Sequence, residues 1–88
     1  MKEKFKVSEH IAWRRVGEEI VALDLNSSVY YSLNETGSRL FELLAEKSTV
    51  EEAVERVVEE FDIDAGTAAK DARVLTKDLC KEKILQPA

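Results

Sequence analysis

Few side chains in this sequence are of the types that carry out covalent or metal chemistry. His10 is the only histidine and Cys80 the only cysteine, and they lie far apart along the chain. A soft metal site needs several such ligands, and no second His or Cys exists to complete one. The serines and threonines show no partner pattern of an activated nucleophile. Gly17, Gly37 and Gly66 form no phosphate-cradling loop. Carboxylates are abundant but spread along helical faces, where they solvate and pair. Neither catalysis nor a cofactor or metal is expected. Recognition remains, and the residues best arranged for it lie between Lys70 and Glu82. At about 100° per residue, Lys70, Arg73, Lys77 and Lys81 gather on one side while Asp71, Asp78 and Glu82 line one flank. Val74 falls between the two sets, with no core to enter.

The elements that must hold that helix follow from periodicity. Ile11 to Val16 is rich in strand formers, and Gly17-Glu18 supplies a hairpin turn. Glu19 to Leu25 follows, with Val21, Leu23 and Leu25 alternating against shorter or polar neighbours. After the Asn26-Ser27-Ser28 turn, Val29 to Leu33 forms a third strand. Three such strands make an antiparallel meander with the third at an edge. Period two sends Leu33, Tyr31 and Val29 inward and Tyr30 and Ser32 outward. The period then changes at Asn34, a good N-cap, and a helix runs to about Glu46. Thr49 to Glu52 fits a capping box opening a second helix. Val50, Ala53, Val54, Val57, Val58 and Phe61 recur along it at helical spacing. Asp64 caps a third helix, from about Ala65 to Glu82, whose core stripe is Ala65, Ala68, Ala72, Leu75 and Leu79. The fold class is therefore α+β: a three-stranded antiparallel sheet followed by three helices, as in a winged helix-turn-helix.

Composition narrows the function classes. Eighty-eight residues make one domain over 1–88, and 44% hydrophobic with 35% charged residues suits a folded soluble unit. No apolar run approaches the roughly 20 residues that cross a bilayer. The start, Met1 to Lys6, is charged and leads into no apolar signal core. One cysteine excludes an intrachain disulfide, so a reducing cytoplasm is the expected setting. A net charge of −5 weighs against nucleic acid as the main partner. The basic row on helix three nevertheless keeps a winged-helix DNA-binding regulator as the alternative reading.

The sequence "VYYSLNETGSRLFELL", the segments "STVEEAVERVVEEFDID" and "DARVLTKDL", and the preceding hairpin together resemble the PqqD-like family. Its members are also known as RiPP recognition elements, RiPPs being ribosomally made and post-translationally modified peptides. The likeness spans about Val7 to Leu85, and its most specific piece is Leu33 to Gly37. Where the family often has Trp, this chain has Phe41; where helix three often ends in Gly-Leu-Leu, it has Lys83-Ile84-Leu85. The resemblance implies a small non-catalytic domain that binds the leader segment of a precursor peptide. The leader adds as a strand in the groove between the third strand and helix three. It is then delivered to a modifying enzyme, often a radical SAM protein, with pyrroloquinoline quinone biosynthesis as one setting. Joined to the edge-strand geometry, this assigns backbone pairing to Val29, Tyr30, Tyr31 and Ser32. It assigns side-chain reading to Asp71, Val74 and Asp78, with Arg73 and Lys77 if the other flank of the helix faces the groove. Monomer and weak homodimer stay open, because a free strand edge can pair with its twin.

Overall fold

Gly17 takes the left-handed conformation (φ +64°) at the first position of a two-residue loop, so that Val16 pairs with Glu19. Only glycine enters that region without steric cost. The computed structural model describes residues 3–88; the charged start at Met1 and Lys2 lies outside the described residues. The hairpin joins β2 (Ile11–Val16) to β3 (Glu19–Asp24), and β4 (Tyr30–Leu33) closes an antiparallel sheet of order β2-β3-β4. The expected third strand is thus β4, it lies at an edge, and Val29 stands one residue outside it. Three helices follow: α1 (Glu35–Ala45), α2 (Val50–Phe61) and α3 (Ala65–Lys81). Two short strands not anticipated from the pattern, β1 (Phe5–Val7) and β5 (Leu85–Pro87), pair with each other as a separate antiparallel ribbon.

Each helix starts where a side chain can satisfy its first free N–H groups. Asn34 Oδ1 accepts from Gly37 N at 2.8 Å, and Asp64 Oδ2 from Thr67 N at 3.0 Å. At α2 the capping box is complete: Thr49 Oγ1 accepts from Glu52 N at 3.1 Å while Glu52 Oε1 accepts from Thr49 N at 2.8 Å. Phe41, Leu40, Leu43 and Leu44 of α1 are buried against Val50, Ala53 and Val57 of α2 and against Ala68, Ala72 and Leu79 of α3. Ala65, expected in the α3 stripe, is exposed at the first turn, where the helix has not yet reached α1.

The sheet buries one face, but not through the alternating Val21 and Leu23. Ile20 and Ala22 are the buried parity of β3. Ala22 pairs with Trp13 on one side and Tyr31 on the other, so a small residue sits between two aromatic ones. Trp13 and Phe41 meet in a T-shaped contact, ring centroids 5.1 Å apart at 83°. Val29 is exposed rather than inward, because the chain is still leaving the turn held by Asp24.

The end of α3 explains the absent glycine. Lys83 adopts φ +61°, Ile84 N donates to Leu79 O at 2.8 Å, and Lys83 N donates to Cys80 O at 3.0 Å. This is a Schellman cap, whose left-handed residue is usually glycine. Buried Ile84 packs beside buried Leu79 and steers Leu85 into β5. Replacing Lys83 by Gly should stabilise the domain by about 1 kcal/mol, raising Tm by roughly 4–8 °C. Lys83→Ala should give no comparable gain, and thermal melts of both variants decide it.

Candidate functional site

Two features follow one another along the chain: unpaired backbone on β4, and a groove that begins at Asn34, the residue after that strand. Their geometry starts from the ladder. Asp24 N donates to Val29 O at 2.9 Å, so Val29 turns its carbonyl toward β3. In an antiparallel pair the direction of the backbone groups alternates along the strand. Tyr31, paired with Ala22, therefore also faces β3, whereas Tyr30 and Ser32 present N–H and C=O to the open edge. Of the four residues expected to offer backbone pairing, only these two have outward-facing groups. Parity of the ladder, fixed by the turn at Asp24, was the missing information.

The junction between β4 and α1 is fastened by a residue the pattern did not single out. Ile20 N donates to Ser38 Oγ at 2.7 Å, and Ser38 Oγ in turn donates to Leu33 O at 3.0 Å. The fully buried hydroxyl thus stands in for a direct ladder bond between Ile20 and Leu33. With β4 stopped there, α1 packs across the buried face of the sheet instead of extending its ladder, and the β4 edge stays uncovered.

A groove of about 310 Å³ lies between the start of α1 and α3. Asn34, Gly37 and Leu40 line one wall, and Asp71, Val74, Leu75 and Asp78 line the other. The structure therefore brings Asp71, Val74 and Asp78 together beside the segment that follows β4. Arg73 and Lys77 do not line the groove. Val74 is 52% exposed, an apolar side chain held in solvent at the groove wall. Gly37 keeps the wall open: a Cβ there would lie 3.0 Å from Asn34 Oδ1 and 3.9 Å from Leu75 Cδ1. Tyr31 points inward and donates from its hydroxyl to Glu82 Oε2 at 3.3 Å, tying β4 to the end of α3. Partial burial, then the Glu82 carboxylate, push the Tyr31 phenol up from its ordinary value.

Charge elsewhere in the fold is committed to holding the layers together. Arg15 of β2 grips Glu42 of α1 with Nε–Oε2 3.0 Å and Nη2–Oε1 3.1 Å. Arg39 bridges Glu42 and, through two bonds of 2.7 and 3.0 Å, Glu60 of α2. The Arg15 guanidinium, then Arg39, hold the Glu42 carboxyl below its usual range, and Arg39 does the same to Glu60. Asp24 is lowered chiefly by the Ser27 N–H and Glu52 by the Thr49 N–H. Groups with depressed values bind fewer protons when folded, so their contribution is present above an unfolded carboxyl value near ~4.3 and is lost as pH falls through the folded values. Tyr31 acts with the opposite sign, its contribution being lost as pH rises through its raised value. Cys80, whose thiol is raised by burial, acts the same way from an unfolded value of about 8.5, so urea midpoints should form a plateau from roughly pH 6 to 8, falling on both sides. Glu42→Gln should flatten the acid limb; an unchanged limb would remove Glu42 from this account.

Chemistry at the cysteine is suppressed: Cys80 is half-buried, and burial raises its thiol. Among the described residues no group of three His, Cys, Asp or Glu side chains could hold a metal ion. No helix of the described residues is long and apolar enough to cross a membrane.

The family profile described as Coenzyme PQQ synthesis protein D (PqqD) matches residues 19–85. The chain belongs to the PqqD family. Among solved structures, "TbiB1 in Complex with the TbiA(beta) Leader Peptide" is 30% identical, with TM-score 0.84 over 92% of this chain and 94% of that one. "Lasso peptide synthetase B1 complexed with the leader peptide" shares the fold at TM-score 0.86 and 20% identity, over 96% of this chain and 99% of that one. No curated protein matches the chain in sequence. The structural match at 30% identity spans the meander and the three helices, and these comparisons lend no support to the DNA-binding alternative. The profile's segment begins at β3 and ends at Leu85. It includes β4 and all three helices, hence every residue of the groove.

Proposed function

We propose that this domain captures the leader segment of a precursor peptide by strand addition at β4 and presents it to a modifying enzyme, without catalysing a reaction itself. The observation that carries this reading is the pair of outward-facing backbone positions, Tyr30 and Ser32, beside a groove lined by Val74 and Leu75. An open strand edge normally invites aggregation. Here it becomes a binding device, in which main-chain bonds give affinity and a side pocket gives selectivity. Two outward residues supply at most four such bonds, so the side chains in the groove must add much of the affinity. Asp71, Val74 and Asp78 take that role; Arg73 and Lys77 belong to the far flank. The whole chain, residues 1–88, acts as one binding unit in the cytoplasm. The modifying enzyme is of the radical SAM or another RiPP maturase class, and pyrroloquinoline quinone biosynthesis is one pathway of this kind. Without peptide, the open edge supports at most a weak homodimer.

An amide NMR titration with synthetic leaders taken from short reading frames beside the gene tests this, with a random DNA duplex in parallel. Shifts should concentrate on Tyr30, Ser32, Val74 and Leu75 with one leader and be absent with DNA. Shifts confined to the α2 face, or seen only with DNA, would overturn it.

A further inference from the structure

The groove combines two properties that are rarely useful to the same ligand group. Its floor is aliphatic, built from Leu40, Leu75 and the open Cα of Gly37. Its rim carries two carboxylates, Asp71 and Asp78, neither of which takes part in an ion pair or side-chain hydrogen bond of the fold. They stand one turn before and one turn after Val74 on α3, with that valine between them. The nearby arginine of α1, Arg39, is already held by Glu42 and Glu60 and does not neutralise them. The basic residues of α3, Lys70, Arg73, Lys77 and Lys81, lie outside the groove.

An apolar side chain would satisfy the floor and leave both carboxylates to be desolvated by the bound strand, an uncompensated cost. A short polar side chain would reach the rim and leave the floor empty. A long side chain with an aliphatic stem and a cationic head satisfies both, since such chains lay their methylenes on apolar surface and keep the charge at its edge. We infer that this groove is a pocket for a lysine or arginine side chain of the bound peptide. The stem lies on Leu75 and Leu40, and the head sits over Val74 between Asp71 and Asp78. The inference rests on the strand-addition reading and specifies its substrate: a leader with a basic residue at an inward-facing position.

The test is a pair of probes with the same four-carbon stem, N-acetyl-lysine N′-methylamide and its norleucine counterpart, which lacks the terminal ammonium. Each is titrated to tens of millimolar while the amides of Gly37, Val74 and Leu75 are followed. The lysine probe should bind about fivefold more tightly at low salt, and the preference should shrink at high salt as the charges are screened. It should vanish in Asp71→Asn/Asp78→Asn, which removes charge and keeps side-chain size. Equal binding of the two probes, tighter binding of norleucine, or no saturable shift from either would overturn the pocket assignment. These outcomes leave strand addition intact, because that reading is judged separately by leader-induced shifts at Tyr30 and Ser32.

Discussion

Replacing Ser32 by proline should weaken leader binding by about 50-fold, roughly 2.3 kcal/mol, while the domain stays folded. Ser32 is exposed, and its N–H points away from β3. Proline deletes that donor and places a ring carbon where the incoming strand must lie. On an edge strand whose N–H faces solvent, proline is tolerated, and Tyr31 before it already has the extended backbone proline demands. The loss combines one main-chain bond, about 1 kcal/mol net, with an acceptor on the peptide left dry, about 1–3 kcal/mol. Tyr31→Pro is the contrasting variant. Tyr31 turns its N–H toward Ala22, so the same change there should damage the sheet rather than the binding edge. Calorimetry with the cognate leader, beside circular dichroism of both variants, separates the two effects. A folded Ser32→Pro variant that binds normally would show that the peptide does not add to β4.

The largest effect on stability should come from a hydroxyl. Ser38→Ala is expected to destabilise the domain by about 2–4 kcal/mol, because Ile20 N–H and Leu33 C=O both lose their partner in a dry site. For a domain of this size, with total stability near 5–10 kcal/mol, that is a large fraction. Ser38→Cys should recover only part of the loss, since a thiol is a weak donor. Urea denaturation measures the change. A loss below about 0.5 kcal/mol, well under the cost of one dry unpaired group, would mean that water or a direct Ile20–Leu33 bond replaces the hydroxyl.

Ser38 also marks where sequence reading reached its limit. One turn into an amphipathic helix, a serine reads as part of the polar face, and nothing in its spacing reveals a β3 amide above it. By contrast, Asn34, Thr49 and Asp64 were legible as caps because capping is local: side chain and N–H lie within three residues of each other. The edge position of β4 was legible too, since a meander followed by helices leaves its last strand beside nothing. Which backbone groups faced outward was not, because parity depends on where the Asp24 turn places the first ladder bond. The ribbon of β1 and β5 escaped for a similar reason. Three-residue strands have too little period to detect, and their pairing joins opposite ends of the sequence. On α3, helical periodicity correctly placed Val74 between acidic and basic sets. Only the packing of α3 against α1 showed that Asp71 and Asp78 of the acidic set face the groove, while Glu82 meets Tyr31.

That ribbon has a consequence for architecture. Lys6 pairs with Gln86, and Ala88 N donates to Lys4 O at 3.0 Å, so the points where the chain enters and leaves the domain are neighbours. A unit whose entry and exit coincide can be spliced into a surface loop of a larger protein without prising that loop apart. Attachment through either end would also hang the domain from nearly the same anchor point. A catalytic partner tethered on one side or the other would thus see the β4 edge at a similar distance. Linker length, rather than the choice of end, would set how often the captured peptide meets it.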